Sequence, residues 1–179
     1  MGAGAGATVG KLLGMAQAMK GGVGCATVEI AGGVRVAALA VVNAFGDVVD
    51  PGTGRPIAGA RVAPDSPELA DTAAWMKRGI VRRGFGGESN TTLVVAATNA
   101  RLSKVQASAL AAMAQTGCAR VLSPAHTTFD GDLVFSLSVG ELEADLNALG
   151  VAAAEAAAMA IVRGVRTART LGGVPGLAS

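Results

Sequence analysis

The stretch GGESNTTLVVAATNA, residues 86–100, sets two threonines where a glycine-containing loop runs into a valine-rich segment with strand character. A hydroxyl residue at the head of a strand, behind a loop that can be cut, is what an N-terminal nucleophile requires. If Thr91 attacks the carbonyl of Asn90, an N-to-O acyl shift and hydrolysis free a threonine whose own α-amine, with an ordinary pKa of about 7.7 to 8, becomes its base. Asp130-Gly131-Asp132 adds two carboxylates around one glycine, just before LVFSLSV. Aimed at a neighbouring strand end, they would orient the amine and hydroxyl and tune their protonation. A solvated Asp-Gly turn is the plain alternative, and the acids are too few for a calcium loop.

Other chemistries fit poorly. His126 is the sole histidine, so a Ser-His-Asp or Cys-His enzyme would have to use it. It lies between Pro124-Ala125 and Thr127-Thr128 with no partner signal, and reads as a loop histidine satisfied by backbone. A histidine-ligated zinc site has no support. Gly2, Gly4 and Ala7 satisfy a loose G-x-G-x-x-A, but no strand precedes them. Gly10-Lys11 fails the Walker pattern because Ala5 and Leu12 stand where glycine and a hydroxyl residue are needed. Cys25 and Cys118 lack CxxC spacing and read as reduced, buried thiols in a reducing compartment, which makes the cytoplasm the expected location.

The 179 residues amount to one domain, 51% hydrophobic and mostly through alanine and valine, with 26 glycines. That composition suits helices lying close on a sheet. A net charge of +2 from scattered basic residues gives nucleic-acid binding little support. No signal-type run opens the chain, and its long apolar stretches are broken by charge or glycine, so no membrane attachment is expected.

The elements that must carry Thr91 follow from periodicity and punctuation. CATVEIA and VRVAALAVV read as a hairpin closed by Ala31-Gly32-Gly33, with Asn43 at the end of its second strand. Asp50-Pro51-Gly52 marks a turn, and Ser66-Pro67-Glu68 reads as the start of a short helix over residues 69–77. Residues 81–90 have the composition of an exposed loop, and residues 92–98 form a strand. A helix capped by Ser103 and stopped by Gly117 follows, with Val105, Ala109, Ala112 and Met113 on one face. LVFSLSV is a further strand, and ELEADLNALG and VAAAEAAAMAIVRGVRTAR read as two helices. This order points to an α/β fold of stacked sheets with helices outside them.

Three separated motifs, VVNAFGDVVDPGTG, SNTTLVVAATNARLSKVQASALAAMA and PAHTTFDGDLVF, together resemble the DmpA-type self-processing aminopeptidases and, within them, the nylon-oligomer hydrolase branch. The resemblance runs over nearly the whole chain. It implies an αββα sandwich of the DmpA and ornithine acetyltransferase type, incomplete at its N-terminus. Residues 1–90 would be the C-terminal portion of an α subunit, and residues 91–179 a β subunit that begins with the nucleophile.

On this resemblance Thr91 is the nucleophile and Asn90-Thr91 the autocleavage bond. Asp130 and Asp132 are the supporting acidic pair, where DmpA-like members carry serine and glutamate. Asn43 stabilises the oxyanion, and Lys11 matches the branch's active-site lysine. The substrate would be a peptide or linear amide, no cofactor or metal would be needed, and αβ units would form a homo-oligomer. The family commonly supplies a tyrosine from a section preceding the one matched here, and this sequence contains none. A rival reading is a shortened, inactive member serving only in association. A third is acyl transfer of the ornithine acetyltransferase kind.

Overall fold

The computed structural model describes residues 2–80 and 90–179. Its centre is a four-stranded sheet in the order β3-β4-β7-β9, made of Gly22–Ile30 (β3), Val34–Asn43 (β4), Thr91–Ala100 (β7) and Leu133–Leu142 (β9). Strands β3 and β4 form the expected hairpin, turning through Gly32 and Gly33, whose positive φ angles of 77° and 73° no branched side chain would adopt readily. Strand β4 pairs antiparallel with β7, and β7 pairs parallel with β9. A small three-stranded sheet, Pro56–Ala58 (β6), Asp47–Val49 (β5) and Leu122–Ser123 (β8), and the pair Thr8–Val9 (β1) with Met19–Lys20 (β2) flank one end.

Two helices, Lys104–Val121 (α2) and Leu146–Arg166 (α3), cover one face of the central sheet. Alternation in the strands decides which residues meet them. Val36, Ala38, Ala40 and Val42 of β4, with Val94 and Ala96 of β7, are buried against Ala156, Ala157, Ala160 and Ile161 of α3 or Leu110 and Ala114 of α2. The alanines let the layers approach closely. A Cβ at Gly24 would run into the Ala160 carbonyl and the Gly164 backbone, and one at Gly117 into the Ala154 carbonyl. Helix α3 is long and apolar enough to cross a membrane by composition, yet 67% of that window is buried inside the fold. Its apolar character is that of a core helix.

The opposite face of the sheet is open. Leu39, Leu93, Leu133, Phe135, Leu137 and Val139 point outward and are 42% exposed or more. Among the described residues no second layer covers them.

Several elements differ from the sequence expectation. The short helix is Thr72–Lys77 (α1), capped by Asp71 and not by Ser66, whose hydroxyl instead accepts from the Glu68 N–H. Gly117 does not end α2, because the helix continues to Val121 and uses the glycine as its contact with α3. Its buried stripe is Leu110, Ala114, Gly117, Cys118 and Val121, and Val105 is 80% exposed. Residues 141–150 are not one helix. Strand β9 runs to Leu142, held by the Arg101 N–H to the Leu142 carbonyl, and α3 starts after Asp145, whose carboxylate accepts from the Asn147 and Ala148 N–H groups. Cys25 is exposed, because its position in β3 faces away from the helices. The loop expected over 81–90 lies outside the described residues except for Asn90, which is buried and not exposed.

Candidate active site

Asn43 and Thr91 are register partners at the ends of β4 and β7, on the open face of the sheet. Side chains so paired stand about 5 Å apart at Cβ. Beneath them Lys11 is 2% exposed, and its ammonium donates to the Asn43 Oδ1 at 2.9 Å and to the Asn43 carbonyl at 3.1 Å. The Thr8 N–H also donates to that Oδ1, at 3.1 Å. Two donors on Oδ1 fix which way the amide faces, turning its Nδ2 donor away from Lys11. The glycine-rich segment is itself pinned: the Gly10 and Lys11 N–H groups donate to the Gly46 and Phe45 carbonyls at 2.9 Å each.

The Asn90-Thr91 bond sits at the head of β7. Asn90 is 5% exposed, and its carbonyl oxygen accepts from the Thr91 hydroxyl at 2.6 Å and from the Gly131 N–H at 2.8 Å. The second contact belongs to the Asn90–Asp130 bridge that opens the parallel pairing of β7 with β9. A Cβ on Gly131 would stand 3.0 Å from the Thr91 hydroxyl oxygen.

The two acids do different work. Asp130 clasps two loops: its Oδ1 accepts from the Phe45 N–H at 3.0 Å and its Oδ2 from the Thr127 hydroxyl at 2.7 Å. Stacking of Phe45 on Phe129, with ring centres 4.9 Å apart, backs the same junction. Asp132 Oδ1 accepts from the Thr92 N–H at 2.6 Å, and its buried Oδ2 has no hydrogen-bond partner among the described residues. The Thr92 hydroxyl lies near this carboxylate without completing a hydrogen bond. Burial pushes the Asp132 carboxyl above the ordinary range and Asp130 adds to the rise, while the Thr92 N–H opposes it. Nearby Cys118 is pushed up to about 12, first by burial and then by the Asp132 charge. It is an inert thiol.

This geometry, a strand-head threonine against its own preceding carbonyl with an oriented asparagine opposite, coincides with a sequence match over residues 1–178. The chain belongs to Peptidase family S58. An uncharacterized aminopeptidase of Mycobacterium tuberculosis is 38% identical over 178 residues, 89% of this chain and 52% of the relative. One from Mycobacterium leprae is 37% identical over 195 aligned positions, 98% of this chain and 50% of the relative. The chain therefore spans about half the length of the curated relatives it matches.

Three solved structures share the fold of this S58 chain. A Pyrococcus horikoshii protein matches at TM-score 0.60 and 24% identity over 98% of this chain and 46% of its own. The L-aminopeptidase D-Ala-esterase/amidase of Ochrobactrum anthropi, described as a variant of the Ntn hydrolase fold, matches at 0.57 and 21% over 88% and 43%. A Burkholderia β-aminopeptidase matches at 0.51 and 24% over 88% and 46%.

Thus Lys11, Asn43, Asn90, Thr91, Asp130 and Asp132, drawn from four separated segments, converge at one end of the S58 sheet. Neither carboxylate reaches the Thr91 hydroxyl, whose partner is the Asn90 carbonyl. His126 is exposed, near enough to Asp132 for its charge to oppose the rise of that carboxyl, with its ring Nε2 3.0 Å from the Gln115 amide and not satisfied by backbone as expected. Sequence reasoning missed Thr127, Phe45 and Gly131 as contributors. Thr127-x-x-Asp130 carries a recognisable turn signal, whereas a backbone N–H leaves no mark in residue type. Asp47 was also missed. It is 1% exposed and accepts from the Thr72 hydroxyl and N–H and the Ala60 N–H, fastening α1 and the segment after β6 beneath the site.

Proposed function

We propose that this chain is an N-terminal-nucleophile peptidase that cuts its own Asn90-Thr91 bond and then hydrolyses amides with the Thr91 hydroxyl. The observation that carries this reading is the Thr91 hydroxyl resting 2.6 Å from the oxygen of its own preceding carbonyl, at the buried head of a strand. Burial of Asn90 suits an intramolecular cut, which needs no access for an external protease. Once freed, the α-amine of Thr91 takes the hydroxyl proton as that oxygen attacks the substrate carbonyl. Asn43, its amide set by Lys11 and Thr8, donates to the developing oxyanion. Asp130 and Asp132 hold the strand ends that carry these groups, and Asp132 supplies the negative field for the ammonium that forms.

On this reading residues 1–90 and 91–179 become two chains of one folded unit. The substrate class is the N-terminal residue of short peptides, which the aminopeptidase relatives support; linear amide oligomers are the finer alternative within the same chemistry. We further propose assembly of αβ units through the open apolar face, where Leu39, Leu93, Leu133, Phe135, Leu137 and Val139 stand exposed together, in the reducing cytoplasm, consistent with two free cysteines. The same open face supports the rival reading of a non-catalytic association protein.

Intact-mass spectrometry of the purified chain separates these. Two fragments dividing between Asn90 and Thr91, absent from Thr91→Ala, are expected, together with turnover of aminoacyl-nitroanilides in preference to aminohexanoate oligomers. An uncut Thr91→Ala protein that retained amidase activity would rule the nucleophile out.

A further inference from the structure

The self-processing reading leaves one chemical role unassigned: which group receives the negative charge that gathers on the Asn90 carbonyl oxygen when its own chain attacks it. Asn43 is the register partner of Thr91 on the neighbouring strand, and its amide is assigned above to the oxyanion of the substrate. The Asn90 oxygen has a donor of its own. The Gly131 N–H points at it from 2.8 Å, inside the range of about 2.7 to 3.1 Å that oxyanion donors occupy.

We infer that the backbone N–H of Gly131 is the oxyanion donor of the self-cleavage step. The inference rests on the proposed cut at Asn90-Thr91 and assigns a residue that side-chain chemistry passes over. In the first step a bond forms between the Thr91 Oγ1 and the Asn90 carbonyl carbon, while the bond from that carbon to the Thr91 nitrogen breaks. The hydroxyl proton ends on the departing nitrogen. Water then splits the resulting ester into the Asn90 carboxylate and the Thr91 hydroxyl, leaving a free α-amine. Through the tetrahedral stage of the first step, charge sits on the oxygen that Gly131 already holds.

Position 131 has the two properties such a donor needs. Its N–H is the opening rung of the β7–β9 ladder, so it cannot reorganise as charge develops. Both neighbours lock the turn: Asp130 through the Phe45 N–H and the Thr127 hydroxyl, Asp132 through the Thr92 N–H. The acidic pair thereby acts as a brace for the donor between its members. Glycine leaves the attacking oxygen room, since a Cβ there would stand 3.0 Å from it, a tight contact that would push the hydroxyl aside.

Replacing Gly131 by glycolic acid in the full chain turns one amide into an ester, deleting the N–H while keeping the space around Thr91. The cutting rate is followed by intact mass from about pH 6 to about pH 9, counting only products divided between Asn90 and Thr91. A fall of about 10²- to 10³-fold, equal at every pH and with the circular dichroism melt still cooperative, is expected. Gly131→Ala, which retains the N–H but crowds the hydroxyl, is expected to slow the cut as well. A glycolate chain that cuts within about threefold of the natural one overturns the inference while leaving the self-processing reading intact. Absence of any cut in the natural chain overturns that reading, and this inference with it.

Discussion

Asp132→Asn separates what this carboxylate costs the fold from what it gives the chemistry. The carboxylate is mostly buried, its Oδ1 holds the Thr92 N–H at 2.6 Å, and its Oδ2 is without a partner. Asparagine keeps an oxygen for that N–H and brings no charge. Burial raises the acid's folded-state pKa above the ordinary value of 3.8, so the folded chain holds this proton more tightly than the unfolded one. The stability this contributes is fully present below the unfolded pKa and is lost as pH rises through the folded pKa. Each tenfold tightening of the proton corresponds to about 1.4 kcal/mol. Tested in a Thr91→Ala background, so that cutting does not intervene, the asparagine variant is expected to match its parent at about pH 3, below the unfolded pKa. It should gain on it as pH rises to 7 by an amount on the order of 1 kcal/mol, since asparagine carries no desolvated charge. Urea unfolding at half-unit pH steps reads this difference, and comparison with the parent cancels the contribution of Asp47, whose pKa burial also raises. With Thr91 restored, cutting of Asp132→Asn is expected to fall by at least about 10²-fold. A variant less stable than its parent across the whole pH range, or one that cuts at the natural rate, would refute the reasoning.

Lys11→Met removes the ammonium that orients Asn43 and also removes a buried charge. Nitroanilide turnover is expected to drop about 10²-fold with the melting temperature held or raised. A melting scan beside the rate assay checks both. Gly24→Ala drives a methyl into the Ala160 carbonyl and is expected to cost about 3 kcal/mol or prevent soluble expression, read by urea unfolding and soluble yield. Iodoacetamide should label Cys25 within minutes and leave Cys118, buried and pushed up to about 12, unmodified until denaturant is added. Peptide mapping distinguishes the two.

The hairpin, strand β7 and the Ser103 cap were legible in the sequence because each depends on near neighbours: a diglycine turn, a valine-rich run over 92–98 behind a glycine-containing loop, and a serine three residues before Gln106, which closes a capping box. The six candidate site residues were legible through motif resemblance, and the fold supplies their convergence. What stayed hidden depends on partners distant in the chain. Gly117 looks like a stop signal until α3 is seen crossing it. Leu142 looks helical until its carbonyl is found bonded to Arg101. The alanine-rich composition blurs the stripe of α2, since alanine is tolerated on either face. Asp130 looks like a companion of the nucleophile, and its actual partners, Phe45 and Thr127, come from a loop and a turn that no local pattern brings to it.

Strand parity explains why the chemistry lies where it does. In β4 and β7 the even-numbered residues from Val36 to Val42 and from Thr92 to Ala100 are packed toward the helices, which sends Asn43 and Thr91 to the other face. A slip of one residue in β7 would turn Thr91 toward the helices and Ala96 and Ala100 away from them, and a slip in β4 would do the same to Asn43 and its alanines. The alanine and glycine contacts of α3 with β3 guard against that slip, because no larger side chain fits where Gly24 and Gly164 meet. The packing of one face thus sets the presentation of the other. Small residues bring the helix-facing side close to α3, the candidate site residues stand at the strand ends, and the apolar row from Leu93 to Val139 lies on the same side as Thr91. The row and Thr91 thus share one open face of the sheet, set by the same strand parity that packs the other face.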